Sequence, residues 1–180
     1  MKVLAIDPSS TVLGYAVLED EVLVMFGTVD TSKVIYAARF QHIIDTLEIV
    51  RAALSIYEIA MERAFVQAGH NTAALQVSVQ AIKEWAKSKK ATLAEYSPAT
   101  WKSQVVGNPF AGKEQVAVVA DLLYPAKGLK GQPDHVTDAV CIGTHHQRVK
   151  RLEKMGIKQR AATPHYSKNH PRRKSADFED

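Results

Sequence analysis

The stretch Lys2-Val3-Leu4-Ala5-Ile6-Asp7-Pro8 is four apolar residues closed by an acid and a proline. It reads as a buried-type strand that ends where the acid begins, because a bare carboxylate is costly to carry into a core and proline cannot continue a ladder. Downstream, residues 13–19 and 22–29 are two further strands separated by the acidic turn Glu19-Asp20-Glu21, which makes an antiparallel hairpin. Thr31 or Ser32 is placed to cap a helix running to about Leu54, with Ala37, Phe40, Ile43, Ile44, Leu47 and Val50 at helical spacing. Ser55–Met61 repeats the opening pattern, an apolar strand closed by an acid, Glu62. A helix over Thr72–Lys87, a strand over Ala91–Tyr96, a short helical piece from Ser97-Pro98, a helix over Lys113–Leu123 and a last helix from Pro133 or Asp134 to about Lys150 complete the chain. Three meandering strands followed by alternating helices and strands imply an α/β fold, a mixed five-stranded sheet with helices on both faces.

The 180 residues are 46% hydrophobic and 23% charged, which suits a globular chain and excludes disorder over the whole length. A single cysteine, Cys141, excludes a disulfide framework and a multi-cysteine zinc site. No apolar run suits a signal peptide or a membrane span, so the expectation is a soluble, cytoplasmic protein. The net charge of +4 is unevenly spread. Residues 148–180 hold ten Lys/Arg against four acids, a net of +6, which leaves −2 over the first 147 residues. A near-neutral body over residues 1–150 and a basic, flexible tail over 151–180 is a layout used to bind polyanions.

Asp7 and Glu62 stand at strand C-terminal ends, where a sheet opens onto a crevice. The last helix adds His135 and Asp138, three apart, with Asp134 four residues before Asp138, so all three share roughly one face. The run behind them, Ala139-Val140-Cys141-Ile142-Gly143, is apolar, so the helix is buried and its polar first turn points into something specific. Each residue alone has an ordinary explanation: Asp7 capping a turn at Pro8, Glu62 pairing with Arg63, Asp134 as N-cap. Four candidate ligands from two strands and one helix, Asp7, Glu62, His135 and Asp138, match what two divalent cations need.

At this point the chain resembles the RuvC family of Holliday-junction resolvases, within the RNase H-like nucleases. The resemblance is carried by Leu4-Ala5-Ile6-Asp7-Pro8-Ser9-Ser10 with Gly14-Tyr15-Ala16-Val17, by Ile59-Ala60-Met61-Glu62-Arg63-Ala64-Phe65, and by Pro98-Ala99-Thr100-Trp101-Lys102 with Val105-Val106-Gly107. It continues in Gly112-Lys113-Glu114-Gln115-Val116 and in His135-Val136-Thr137-Asp138 through His145, so it covers roughly residues 1–147. It implies an RNase H-like fold and a crossover junction endodeoxyribonuclease that hydrolyses phosphodiesters with two Mg²⁺ or Mn²⁺ ions per site and no organic cofactor. It implies Asp7, Glu62, His135 and Asp138 as metal ligands, Lys102 and Lys113 as cations beside the scissile phosphate, and Phe65 as an aromatic at the junction centre.

Two departures stand out. The family's Asp-Pro-Gly-Ser is here Asp7-Pro8-Ser9-Ser10, so either Ser9 is strained or the turn differs. The last block reads His-x-x-Asp where many members have Asp-x-x-Asp; imidazole is a ligand for Mn²⁺ and Mg²⁺ or a general base, and the sequence does not choose. Short resolvases with such departures occur in bacteriophages, which points towards a phage origin. Lys83, Lys87, Lys89 and Lys90 are candidate phosphate contacts, although lysines also favour a helix C-terminus for its dipole. Trp101 is either a core residue or a stacking surface. A homodimer is expected, because a four-way junction is nearly two-fold symmetric and the Thr72–Lys87 helix carries two apolar stripes: Leu75, Val79, Ile82 and Ala86, and Ala74, Val77, Ala81 and Trp85. Two other readings stand beside resolution of junctions, a less selective flap or fork endonuclease of the same fold and a non-catalytic junction binder.

Overall fold

A computed structural model describes residues 1–64 and 72–157. Three antiparallel strands, β1 (Lys2–Asp7), β2 (Val12–Glu19) and β3 (Val22–Asp30), are followed by α1 (Tyr36–Ala53), β4 (Glu58–Glu62), α2 (Thr72–Ser88) and β5 (Thr92–Tyr96). Helices α3 (Pro98–Val105), α4 (Lys113–Leu123) and α5 (Asp134–Lys154) complete it, with an additional short 3₁₀ turn at Pro125–Lys127. The sheet order is β3-β2-β1-β4-β5, with β4 and β5 parallel to β1.

Alternation along the strands sorts the sheet into two cores. Leu4, Ile6, Leu13, Val17, Ile59 and Met61 pack under α1 and α2. Val3, Ala5, Ala16, Leu18 and Ala60 pack under α3, α4 and α5. The second set is small, and so is the helix that meets it: a Cβ on Gly143 would come within 2.3 Å of Leu18 Cδ1. Close approach of α5 to the sheet therefore rests on side-chain size, not on length or charge.

Some expected boundaries are corrected. Thr31 caps no helix; it is buried, its hydroxyl donates to the Thr11 carbonyl at 3.0 Å, and α1 begins only at Tyr36. Asp134 is the first residue of α5 and not its cap, the N-cap being Pro133. That helix runs to Lys154, four residues beyond its expected end near Lys150, because the run to Lys154 contains no helix breaker. Residues 158–180, most of the expected tail, lie outside the described residues. Ser9 does not have the positive φ that would have demanded glycine. Its Oγ instead accepts from the amides of Thr11 and Val12 at 3.3 and 3.4 Å, so serine closes the turn with its own side chain.

Candidate active site

The register of β1 on β4 pairs Ile6 with Met61, which leaves Asp7 and Glu62 as the next residues level with each other on adjacent parallel strands. Both share the parity of Ala5 and Ala60, so both carboxylates rise from the face that α5 covers. Helix α5 starts over that end of the sheet and adds His135 and Asp138 from its first turns. The approach depends on Gly14, which sits opposite Asp7 on β2: a Cβ there would lie 2.0 Å from the His135 carbonyl oxygen. The four residues singled out from the sequence are thus brought to one end of one face.

Their electrostatics are unbalanced. Asp7 is only 6% exposed, and burial pushes its carboxyl above the usual range, opposed by the hydrogen bond to His135 Nδ1 at 2.5 Å. Burial, aided by the charge on Asp7, raises Glu62 to about 7. Burial and Asp7 likewise raise Asp138 to about 7. His135 is shifted upward, chiefly by its bond to Asp7. Lys102 is the principal lysine acting on all three carboxylates, yet its Nζ is tied to the Ala111 carbonyl at 3.0 Å and lies 5.4 Å over the Trp101 ring. Lys113 is exposed and pairs with Asp134 at 2.7 Å, which engages Asp134 apart from the three carboxylates.

Among the described residues no three His, Cys, Asp or Glu side chains stand close enough to enclose a metal ion as they are. The donor chemistry nevertheless fits a hard divalent cation: three carboxylates are crowded on one face, burial raises all three, the charge on Asp7 raises Glu62 and Asp138 further, and among the described residues His135 is the imidazole that partners them.

Of the two roles open to Trp101, core and stacking, the structure decides for the core. It is fully buried in α3, and its Nε1 donates to Glu62 Oε2 at 2.8 Å, so it holds the carboxylate in place. The sequence carries one signal for this role, since a buried indole N–H needs an acceptor. Ser97 caps α3 by accepting from the Thr100 amide at 3.2 Å, with Pro98 in the first turn, and so sets the angle at which Trp101 enters.

A family model for the crossover junction endodeoxyribonuclease RuvC matches residues 3–146. The chain belongs to the RuvC family. Among curated members it is 32% identical over 163 residues to RuvC of Sulfurovum sp. (strain NBC37-1), covering 86% of this chain and 100% of that one. It is 29% identical over 152 residues to RuvC of Dehalococcoides mccartyi, covering 81% and 92%. The solved structure of Thermus thermophilus RuvC in complex with a Holliday junction substrate superposes with a TM-score of 0.75 at 25% identity, covering 85% of this chain and 96% of that one. Five strands with helices on both faces are therefore a RuvC-type, RNase H-like architecture here as well.

The lysines singled out on α2 and in the turn after it are not gathered at this RuvC-type centre. Phe65 lies outside the described residues. Lys83 pairs with Glu95 at 2.9 Å and Lys89 with Glu48 at 3.1 Å. Lys87, Lys89 and Lys90 sit where α2 leads into β5, and β5 begins beside Glu58, at the opposite end of β4 from Glu62. The second apolar stripe of α2 is also shorter than expected: Trp85 is buried against the sheet and donates to Glu48 Oε2 at 2.9 Å, leaving Ala74, Val77 and Ala81 on the outer side. No helix among the described residues is long and apolar enough to cross a membrane.

Proposed function

We propose that this protein is a structure-specific endonuclease that resolves four-way DNA junctions by metal-dependent phosphodiester hydrolysis. The observation that carries the reading is the convergence of Asp7 and Glu62, from neighbouring parallel strands, with His135 and Asp138, from the start of α5, on one face of the sheet. Asp7, Glu62 and Asp138 would hold two Mg²⁺ or Mn²⁺ ions, which supply a nucleophilic hydroxide and neutralise phosphate charge when bound. His135 uses Nδ1 on Asp7, and its other nitrogen, Nε2, is assigned to the cation or to the attacking water. Trp101 fixes the rotamer of Glu62. Lys102 and Lys113 would meet the non-bridging oxygens of the scissile phosphate, Lys113 by exchanging its bond to Asp134 for one to phosphate. Phe65 is kept as the aromatic assigned to the junction centre, and residues 158–180, with six Lys/Arg, as a phosphate-binding extension of the domain.

Paired nicks on opposing strands require two centres, and we assign the partner to a second copy of this chain. An open groove of about 720 Å³ runs along the outer side of α2, lined by Arg63, Ala73, Val77, Gln80, Ala81 and Glu84, and offers the surface for it. The site of action is assigned to the cytoplasm, where branched chromosomal or phage DNA is accessible.

The test is a labelled mobile junction incubated with the protein in Mg²⁺ or Mn²⁺, beside fork, flap and linear duplex. Symmetric nicks in the junction, lost in EDTA, support the proposal. Equal cutting of flaps and forks favours a less selective branched-DNA nuclease, and binding without nicking in either metal overturns the catalytic reading.

A further inference from the structure

Phe110 is 89% exposed, the most exposed large apolar side chain among the described residues. Exposure alone is ordinary on a protein surface, but the placement of this ring is specific. It projects from the connection between α3 and α4, and that connection is held from several sides. The Phe110 amide donates to Asn108 Oδ1 at 3.0 Å, and the Ala111 amide donates to the Asn108 carbonyl at 3.1 Å. Gln115 Oε1 accepts from the Gly112 amide at 3.3 Å and from Asn108 Nδ2 at 3.4 Å. Ala111, the next residue, is buried in the core under α5. Its carbonyl is the acceptor of Lys102 Nζ, the cation that acts on Asp7, Glu62 and Asp138. Two residues further on, Lys113 reaches Asp134 beside His135. A flat apolar ring is thus carried on a fixed loop between the two lysines nearest the carboxylates, with Glu114 as the one exposed acid next to it in sequence.

We propose that Phe110 is a base-stacking contact, taking the face of an unpaired nucleobase beside the scissile phosphate. The inference rests on the nuclease reading above and adds a substrate contact to it. Charge complementarity selects the occupant: Lys102 and Lys113 hold a phosphate, and a sugar-phosphate backbone held there brings a base within reach of a ring one residue from the Lys102 anchor. In an intact duplex each base already has both faces covered, so the ring gains a partner only where strands part. Phe110 therefore contributes to the preference for branched over linear DNA.

Three full-length chains decide this, wild type, Phe110→Ala and Phe110→Trp, each checked for an unchanged melting temperature. Single-turnover nicking of the junction is expected to fall about 5- to 150-fold in Phe110→Ala, the equivalent of removing one base stack, and to stay within about threefold in Phe110→Trp. Junctions carrying 5-iododeoxyuridine at each position flanking the cut, irradiated in EDTA, are expected to crosslink to wild type through Phe110 at one or two positions and to lose that crosslink in Phe110→Ala. Wild-type nicking by Phe110→Ala with an unchanged crosslink pattern overturns the inference and leaves the nuclease reading intact. A change of oligomeric state in Phe110→Ala also overturns it, making the ring a protein contact. A wild-type chain that nicks no branched substrate refutes the underlying reading itself.

Discussion

Strand β4 carries a glutamate at each end, both on the face covered by α5, and the two have opposite surroundings. Glu58 is answered: Lys150 Nζ lies 3.2 Å away, His146 Nε2 lies 3.1 Å away, and His146 Nδ1 meets the Tyr96 hydroxyl at 2.8 Å. Arg151 pairs with Glu21 at the same end of the sheet. Glu62 has one hydrogen bond among the described residues, from Trp101, and faces two further carboxylates. One strand and one helix therefore build a neutralised end and an end left with surplus negative charge. Folding alone would favour pairing at both ends, because unpaired buried charge costs stability. The surplus marks where a cation or a reacting phosphate is expected, and the paired end marks what the fold does when no ligand is to be met.

The contrast breaks most sharply at Asp7. Asp7→Asn keeps the volume and removes the charge, and is expected to slow single-turnover nicking by about a thousandfold or more, several kcal/mol of transition-state stabilisation, while junction affinity in a gel-shift assay changes less than about threefold. Wild-type-like nicking would remove Asp7 from the centre. Gly14→Ala tests whether the approach of α5 creates the site. The added methyl must push His135 and Asp138 away from β2, and a loss of about 10- to 100-fold in nicking is expected, with about 1–3 kcal/mol of stability lost to overpacking in a denaturation titration.

Glu62→Gln and Asp138→Asn are expected to raise stability while removing activity. The sign follows from the titration. Both carboxyls titrate near 7 in the folded chain, above their unfolded values, so the folded state binds the extra protons. The contribution of these two carboxyls to metal-free stability is full below their unfolded values near 4 and is lost as pH rises through about 7. In EDTA at pH 8 each amide variant is expected to melt a few degrees above wild type, a gain of about 1–2 kcal/mol, and the gain is expected to vanish near pH 4. Adding Mg²⁺ at pH 8 is expected to raise the wild-type melting temperature and not that of Asp7→Asn. Equal melting of wild type and variants at pH 8 would mean that the carboxylates do not strain one another.

At the paired end the opposite holds. Glu58→Ala leaves Lys150 and His146 without their shared partner and is expected to cost about 1–3 kcal/mol, with nicking by the folded protein within about twofold of wild type. Burial holds His145 down to about 4 and lowers His146 as well. Depressed histidines make the folded state bind fewer protons than the unfolded one, so this end loses stability as pH falls from about 6.5 towards 4. A thermal series over that window is expected to show the loss, reduced in His145→Phe.

The smallest effect is expected from the C-terminal basic segment. Helix α5 rises about 30 Å from the catalytic end, so its last residue, Lys154, lies at the paired end. Deleting residues 158–180 is expected to reduce the slope of log affinity against log salt by about 0.9 for each phosphate that the segment neutralises, without changing where the junction is cut. Equal slopes would show that the segment does not bind DNA.

What the chain declared by itself were the elements and the acids. Apolar runs closed by Asp7 and Glu62, the turn at Asp20, and the 3.6-residue periods of α2, α4 and α5 are local patterns whose physics acts over a few residues, and they sufficed for the mixed five-stranded sheet of an RNase H-like fold. The ordered blocks sufficed for the family. Decisions made across the sheet were not legible. Thr31 was drawn from capping a helix to bonding Thr11 by a neighbouring strand, Trp85 from an outer stripe to the core by Glu48, and Asp134 from the N-cap of α5 to an ion pair by Lys113. The need for glycine at position 14 depends on the backbone of His135, 121 residues away in sequence. Which glutamate of β4 is neutralised depends on which turn of α5 lies above it, because hydrogen bonds and charge pairs act over a few ångströms of space that only the closed fold defines.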